Sequence, residues 1–371
     1  MPLGSNHAEG VSYNLLEFYT THTRPNESLW REVVAKYQRP ILSYSLGQIA
    51  TALIPYFTLL YAMYLSLSVS YAITLALSVP AAGFFVRIFI IMHDCGHGSF
   101  FKSRKANQLW GFVTGLLTFV PSYSWSHEHA MHHAAAGNLD NRGTGDIWTL
   151  TLQEYLAFPC WKRMWYRIYR NPVVMFGVGP LYLFLIRYRF WRRQDRSRAR
   201  WSTIGTNVVL LGIVLVMSLS VGLKAYLMIQ LPILLLGAMA GVWLFYVQHQ
   251  FEGTYWERRE KWSFVREALE GSSFYKLPRV LQWFTGNIGF HHVHHLSPRI
   301  PNYHLQKCHE SHAMFTAVKP LTLRSSWQSL TYRLWDEEEK KLVSYGYIQT
   351  LLSKRPTSSG EGRERGVFLQ L

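Results

Sequence analysis

The 371-residue sequence predicts an all-α integral membrane protein: four transmembrane helices in two hairpins, with a cytosolic helical cap holding a histidine-rich site for two metals. Three observations predict it. The chain has long stretches without a charged residue, a lopsided distribution of Lys and Arg, and three clusters of histidine at helical spacing.

No residue is charged in Ile41–Ser68 or Val69–Val86, and Thr203–Leu223 and Ala225–Phe251 repeat the pattern. At ~1.5 Å rise per residue, about 20 helical residues cross a hydrocarbon core of ~30 Å. The expected spans are 41–66, 70–92, 203–222 and 225–248. A soluble helical protein would have to bury all four runs in its own core. The first run does not resemble a cleaved signal peptide, because it starts near residue 41 and the first twenty residues lack an apolar stretch with basic flanks.

The net charge of +16 raises nucleic acid as a partner, but its distribution argues for none. Apart from Arg87 and Lys224, every Lys and Arg falls in residues 1–40, 93–202 or beyond 251. Four spans put those three stretches on one side, leaving tight turns near 67–71 and 221–224 on the other; the positive-inside rule makes the basic side cytoplasmic. WKRMWYRIYR (161–170) and RYRFWRRQDRSRAR (187–200) interleave aromatics with basic residues, a mixture suited to an anionic lipid surface. Three cysteines, Cys95, Cys160 and Cys308, are too few for a disulfide framework and are expected to be reduced.

Residues 1–25 are polar and are expected to form a mobile N-terminal arm. The membrane domain covers 26–345, and 346–371 is expected to be a disordered tail, with SKRPTSSGEGRERG (353–366) as its most polar part. SLWREVVAKYQRP (28–40) is expected to be an amphipathic helix leading into the first span. LWGFVTGLLTFVP (109–121) is apolar but too short to cross, which suits the interface. VVMFGVGPLYLFLI (173–186) stays open between re-entrant and spanning; its shortness, Pro180, Arg170 and Arg187 favour a re-entrant or interfacial segment.

Sixteen histidines concentrate just beyond the expected spans. In HDCGHGSF (93–100), His93 and His97 lie four apart on one helix face. In SWSHEHAMHH (124–133), His129 meets His132 at i+3 and His133 at i+4. HHVHH (291–295) repeats this: His291 meets His294 and His295. Adjacent histidines diverge by about 100° on a helix, so His132 and His133 suit two metals better than one. His249 ends the fourth run, where an unpartnered histidine is costly. His127 and His292 lack the spacing and are expected to support the site or lie on the surface. His304, His309 and His312 are expected to be structural or surface residues.

Nine candidate ligands result: His93, His97, His129, His132, His133, His249, His291, His294 and His295. Imidazole accepts Zn, Cu, Fe and Ni. Nine nitrogens exceed one tetrahedral zinc and suit two ions of coordination five or six, and HEHAM is not the HExxH of a zinc protease. Two irons at a membrane surface are the best reading.

These residues resemble the three histidine boxes, HxxxH, HxxHH and HxxHH, of the membrane fatty acid desaturases. HDCGHGSF, HAMHH and HHVHH match them in order. GNIGFHHVHHLSPRIPNY (286–303) and HHAAAGNLDNRGTGDIWTL (132–150) look like the bacterial methyl-end, delta-12 or omega-3 type, acyl desaturases. The resemblance implies a non-haem diiron centre that uses O2 and two electrons to remove two hydrogens from an acyl chain carried on a lipid or thioester. The expected location is a bacterial inner membrane, with the site on the cytoplasmic side where the basic residues fall. Some stearoyl-type desaturases add an Asn ligand four residues before the histidine matching His249; here that position is Phe245, which puts a tenth ligand in doubt.

Asp94, Glu128, Asp140, Asp146 and Glu252 are candidates to orient imidazoles. Aromatics near Trp125, Trp283 and Phe284 are expected to line an acyl tunnel. The chain has no HPGG haem signature, too few cysteines for an iron–sulfur domain and no GxGxxG, so a separate ferredoxin or b-type cytochrome is implied. A hydroxylase could use the same ligands. A metal or haem transporter would instead line a path across the bilayer with histidines, whereas these cluster at span ends.

Overall fold

The computed structural model describes residues 27–143, 145–193 and 195–354; the expected arm at 1–25 and the tail beyond 354 lie outside the described residues. Three helical stretches are long and apolar enough to cross a membrane: Leu42–Ser66 (α2), Tyr71–His97 (α3) and Ser197–His249. Four spans were expected. The last stretch is made of two helices, Ser197–Met217 (α7) and Leu223–His249 (α8), joined by a wide turn at Ser218–Gly222 in which Gly222 takes a φ of 88°.

Burial separates the roles of these helices. Of the most apolar window in each, 56 % is buried in α3, 28 % in α2 and 6 % in the Ser197–His249 stretch. The helix α3 is therefore the internal one, packed against α2 and α8. The shared core holds Ala52, Tyr56 and Met63 from α2, Phe85, Ile88 and Met92 from α3, and Ile229, Ile233 and Ala238 from α8. A Cβ on Gly237 of α8 would lie 2.5 Å from Phe85 Cδ1, so glycine is what lets α8 approach α3. The outer flanks leave Ile54, Tyr61, Leu211, Val216 and Leu219 exposed, a surface that hydrocarbon accommodates and water does not. Pro55, Pro80 and Pro232 sit inside these helices.

Local signals set the helix ends. Ser70 caps α3 by accepting from the Ala72 N–H, and α3 ends at His97 because Gly98 turns left-handed, with φ 70°. Between the membrane stretches lie Arg104–Leu117 (α4), capped by Ser103, and Ser122–Ala135 (α5). The amphipathic helix Glu27–Ala35 (α1) contributes Val33 and Val34 to a second core with Ile90, Val293 and Leu305. Cys160–Tyr169 (α6) precedes a helical run at 172–189 that packs on α8. At ~1.5 Å per residue, the 14 residues of 173–186 reach only about 21 Å, short of a ~30 Å core.

Five short strands depart from the all-α expectation. Leu150–Thr151 (β1) pairs parallel with Leu334–Asp336 (β4), which pairs antiparallel with Lys341–Val343 (β5), and Phe274–Lys276 (β2) pairs parallel with Pro320–Thr322 (β3). Each has only two or three residues, too short for the alternation that reveals a strand in sequence. Tyr345–Lys354 is helical with Ile348 buried, so order reaches nine residues into the 346–371 segment.

Candidate metal centre

Four pieces of chain meet where α3 and α8 end. The last turn of α3 carries His93 and His97; α5 carries His129, His132 and His133; His249 is the final residue of α8; and the one-and-a-half-turn helix His291–Leu296 (α9) carries His291, His294 and His295. Glycines permit the approach. A Cβ on Gly96 would lie 2.3 Å from Ser126 Oγ of α5, and one on Gly289 would lie 2.3 Å from the Tyr275 carbonyl oxygen. Asn287 and Gly286, with φ of 58° and 53°, turn the chain into α9.

All nine histidines come together, in two groups. His93, His97, His129, His133 and His294 form one; His132, His249, His291 and His295 form the other. Within each group one ring nitrogen per residue lies within 4.8 Å of all the others. Ligands on opposite sides of one ion, each at ~2.0–2.1 Å, stand about 4 Å apart, so each group has the size of a coordination shell. Neighbours in sequence go to different groups: His132 and His133 part, as do His294 and His295.

Outer hydrogen bonds fix the rings. His93 Nδ1 lies 3.0 Å from Asp94 Oδ1, and Asp94 Oδ2 accepts from the backbone N–H and the side-chain amide of Asn302 at 2.7 and 2.9 Å. His132 Nδ1 lies 2.5 Å from Asp146 Oδ1, His295 Nδ1 lies 3.2 Å from Glu267 Oε2, and His249 Nδ1 donates to the Gly271 carbonyl at 3.3 Å. A carbonyl only accepts, so the neutral His249 ring carries its proton on Nδ1 and bares Nε2. The Asp146 carboxylate makes the same demand of His132. His132 Nε2 and His249 Nε2 face each other at 3.1 Å, so that with both rings neutral two lone pairs meet. His97 Nε2 and His295 Nε2 are buried without any partner. Converging bare nitrogens fit a cation.

Protonation points the same way. Burial, with neighbouring imidazoles adding to it, pushes His129, His133, His291 and His294 well below the ordinary imidazole range. His295 is lowered for the same reason, burial first. Neutral imidazoles are what metals bind.

Of the five acids considered from sequence, Asp94 and Asp146 orient imidazoles. Glu128 instead pairs with Arg187 and Arg192, Asp140 with Arg258 and the Arg259 N–H, and Glu252 is exposed. Glu267 was missed. It is fully buried and held by Ser272 Oγ at 3.1 Å, but in sequence it sits in a charged stretch beside Arg266 and Glu270 that reads as a solvated helix face. The Gly271 carbonyl carries no sequence signal. His127 is half-buried outside both groups, and His292 pairs with His309 at 3.0 Å. His312 caps the Met314 N–H.

Trp125 stacks on His129 with ring centroids 4.5 Å apart, while Trp283 and Phe284 pack edge-on against Phe84. None of the three lines the cleft that reaches the four-histidine group. That cleft is lined by His132, His249, Phe245, Asp146, Gln250 and Trp256, among others.

Comparison with known proteins agrees with this geometry. Residues 68–325 match the family model described as fatty acid desaturase, and the chain belongs to that family. A fatty acid desaturase of Bacillus subtilis (strain 168) is 50 % identical over 328 residues, covering 88 % of this chain and 93 % of the relative. Two proteins of Synechocystis sp. are more distant. The sn-1 acyl-lipid omega-3 desaturase (ferredoxin) is 28 % identical over 64 % of this chain and 65 % of its own length. The sn-1 oleoyl-lipid 12-desaturase is 26 % identical over 60 % and 63 %.

Proposed function

We propose that this enzyme is an oxygen-dependent acyl-lipid desaturase whose nine histidines hold two irons. The observation that carries the reading is the pair of imidazole groups, five and four strong, on elements that all end at one side of the apolar helices. The chemistry that two bound irons supply is the activation of O2 for breaking unactivated methylene C–H bonds, which side chains alone cannot do. Per double bond, two hydrogens leave the acyl chain; with two external electrons and two protons they reduce one O2 to two waters.

The chain's own residues bind, orient and exclude. Asp94, Asp146, Glu267 and the Gly271 carbonyl hold four imidazoles in the tautomer that presents Nε2 inward. Trp125 and Phe245 cover His129 and His132 with apolar rings, keeping bulk water off the centre. The cleft beside His132 and His249 reaches the four-histidine group from outside.

The Ser197–His249 stretch reads as two spans. The chain at α7 packs against α5, next to the site, and α8 ends at the site, so the stretch leaves the cytosolic side and returns to it. With α2 and α3 this makes two hairpins, and the segment 173–186 lies re-entrant or in the interface. The bacterial relative supports a cell-membrane location, and the positive charge puts the centre on the cytoplasmic side. Two relatives named for ferredoxin support a separate small electron donor, a ferredoxin or b-type cytochrome, drawn to the basic face.

Expression of the full chain in a host with a compatible donor, followed by mass spectrometry of its fatty acids, tests the reading. Acyl chains lighter by two hydrogens are expected. Chains gaining one oxygen would make the enzyme a hydroxylase with the same ligand set.

A further inference from the structure

The helix α6 presents apolar side chains away from the protein as well as toward it. Trp161, Met164, Trp165 and Ile168, spaced i, i+3, i+4 and i+7, are between 41 and 60 % exposed, while Tyr166 on the opposite side is fully buried. At 100° per residue the four occupy an arc of about 100°.

The helix cannot roll to hide them. Tyr166 Oη accepts from the Leu150 N–H at 3.1 Å and donates to the Arg333 carbonyl at 2.5 Å. Tyr169 Oη accepts from the Trp148 N–H at 3.1 Å. The fully buried Arg170, just past the helix end, reaches Thr149 Oγ1, Gln250 Oε1 and the Tyr332 carbonyl at 3.3, 3.1 and 3.0 Å. These bonds tie α6 to the segment that follows Asp146 and to the residue after His249, so its outward face has a fixed direction relative to the metal centre.

Basic residues rim that face. Lys162 stands on one side, its Nζ over the rings of Phe158 and Trp161, and the exposed Arg167, whose Nε donates to Tyr155 Oη at 2.7 Å, on the other. No acidic residue occurs from 155 to 194. Two residues beyond Arg170 begins the apolar run 172–186, which packs on the membrane helix α8 and itself exposes Val173, Val178, Tyr182 and Ile186. The exposed apolar residues of α6 are thus followed directly along the chain by further exposed apolar residues of a segment packed on α8.

We propose that the Trp161–Met164–Trp165–Ile168 face docks into the headgroup layer of an anionic leaflet, with Lys162 and Arg167 on lipid phosphates. Indole, thioether and branched apolar groups enter the acyl boundary while the basic side chains reach outward, the geometry of an in-plane amphipathic helix. The proposal rests on the chain being embedded in a bilayer.

Nitroxide collision measurements on the full chain test it. In a Cys160→Ser background, single labels are placed at Met164→Cys, Leu211→Cys and Glu339→Cys, and the protein is reconstituted in phosphatidylcholine vesicles with or without phosphatidylglycerol. Expected is a loss of collisions with a water-soluble nickel chelate at 164 relative to 339, with retained oxygen collisions, and a deeper position when phosphatidylglycerol is present. The label at 211 should be shielded in both vesicles. Free access of the chelate to 164 while 211 stays shielded overturns the docking surface alone; access at 211 overturns the bilayer reading itself. Equal depth with and without phosphatidylglycerol overturns the role of charge. Dipolar broadening at 164 that vanishes on dilution with unlabelled protein would give the face to a second copy of the chain.

Discussion

His132 and His249 point their Nε2 atoms at each other across 3.1 Å although 117 residues separate them, and each has its Nδ1 committed elsewhere, to Asp146 and to the Gly271 carbonyl. With both rings neutral, as a metal requires, no hydrogen bond stabilises that contact. It then costs energy unless a cation lies between the lone pairs; in the other group His133 and His294 also meet Nε2 to Nε2 at 3.1 Å.

One substitution in each group separates them. His132→Ala should release the ion of the four-histidine group and His294→Ala that of the five-histidine group, each abolishing acyl desaturation while the protein still inserts in the membrane. Metal analysis of the purified variants alongside fatty acid profiling checks this. Full turnover by either variant would refute the ligand assignment.

Glu267→Gln and Asp146→Asn keep size but remove the charge that holds a ring nitrogen proton in place. Loss of such outer partners typically weakens metal affinity by about 10–100-fold. Both should lower affinity in the four-histidine group and leave the five-histidine group loaded. Glu252→Gln, at an exposed carboxylate, should change neither. Competition titrations with a chromophoric chelator give the three affinities.

The pattern of what sequence disclosed is physical. Charge-free runs and i, i+3, i+4 histidines are local signals, so the apolar stretches and all nine rings were readable one helix at a time. Lys224 parts two charge-free runs, and the break at Ser218–Gly222, which keeps helical hydrogen bonding, lies beside the turn expected near 221–224. Glu267 reaches His295 from 28 residues away, and its burial depends on how α9 packs on the segment around it. Glu128 and Asp140 had the right neighbourhood in sequence but the wrong partners in space, because Arg187 and Arg258 arrive from 59 and 118 residues away. Chemistry was legible where it repeats along a helix and hidden where it depends on a single distant contact.

Acid should destabilise the metal-free protein. His129, His133, His291, His294 and His295 are all lowered by burial from 6.5, the ordinary imidazole value that the unfolded chain recovers. Above about pH 6.5 both states are neutral and stability is flat. Below it the unfolded chain takes up protons that the folded one refuses, so stability falls as pH drops from 6.5 toward the depressed values. The slope approaches about 1.4 kcal/mol per pH unit for each such histidine. Melting curves of chelator-treated protein from pH 8 to pH 5 should show a plateau followed by a steep loss. A melting temperature that rises on acidification would contradict the burial of these rings as neutral groups.

Gly289 tests the assembly of the site without touching a ligand. Its carbonyl accepts from the Tyr275 N–H at 2.7 Å, and a Cβ there would sit 2.3 Å from the Tyr275 carbonyl oxygen, a distance that backbone atoms cannot relieve by a side-chain rotation. Gly289→Ala must push the α9 segment away from β2. The adjoining backbone bonds run from His292 N–H to Ser273 O and from Ser273 N–H to Gln248 O, so the displacement falls between His291 and His249, whose Nε2 atoms are 3.1 Å apart. Overpacking of this kind costs about 1–3 kcal/mol. The metal of the four-histidine group should be lost before that of the five-histidine group. Gly241→Ala, in α8 with nothing within 4 Å of the added methyl, should instead be neutral or stabilising by up to about 1 kcal/mol through helix propensity. Equal metal retention by the two variants would mean that the close approach of Gly289 to Tyr275 does not set the spacing of the site.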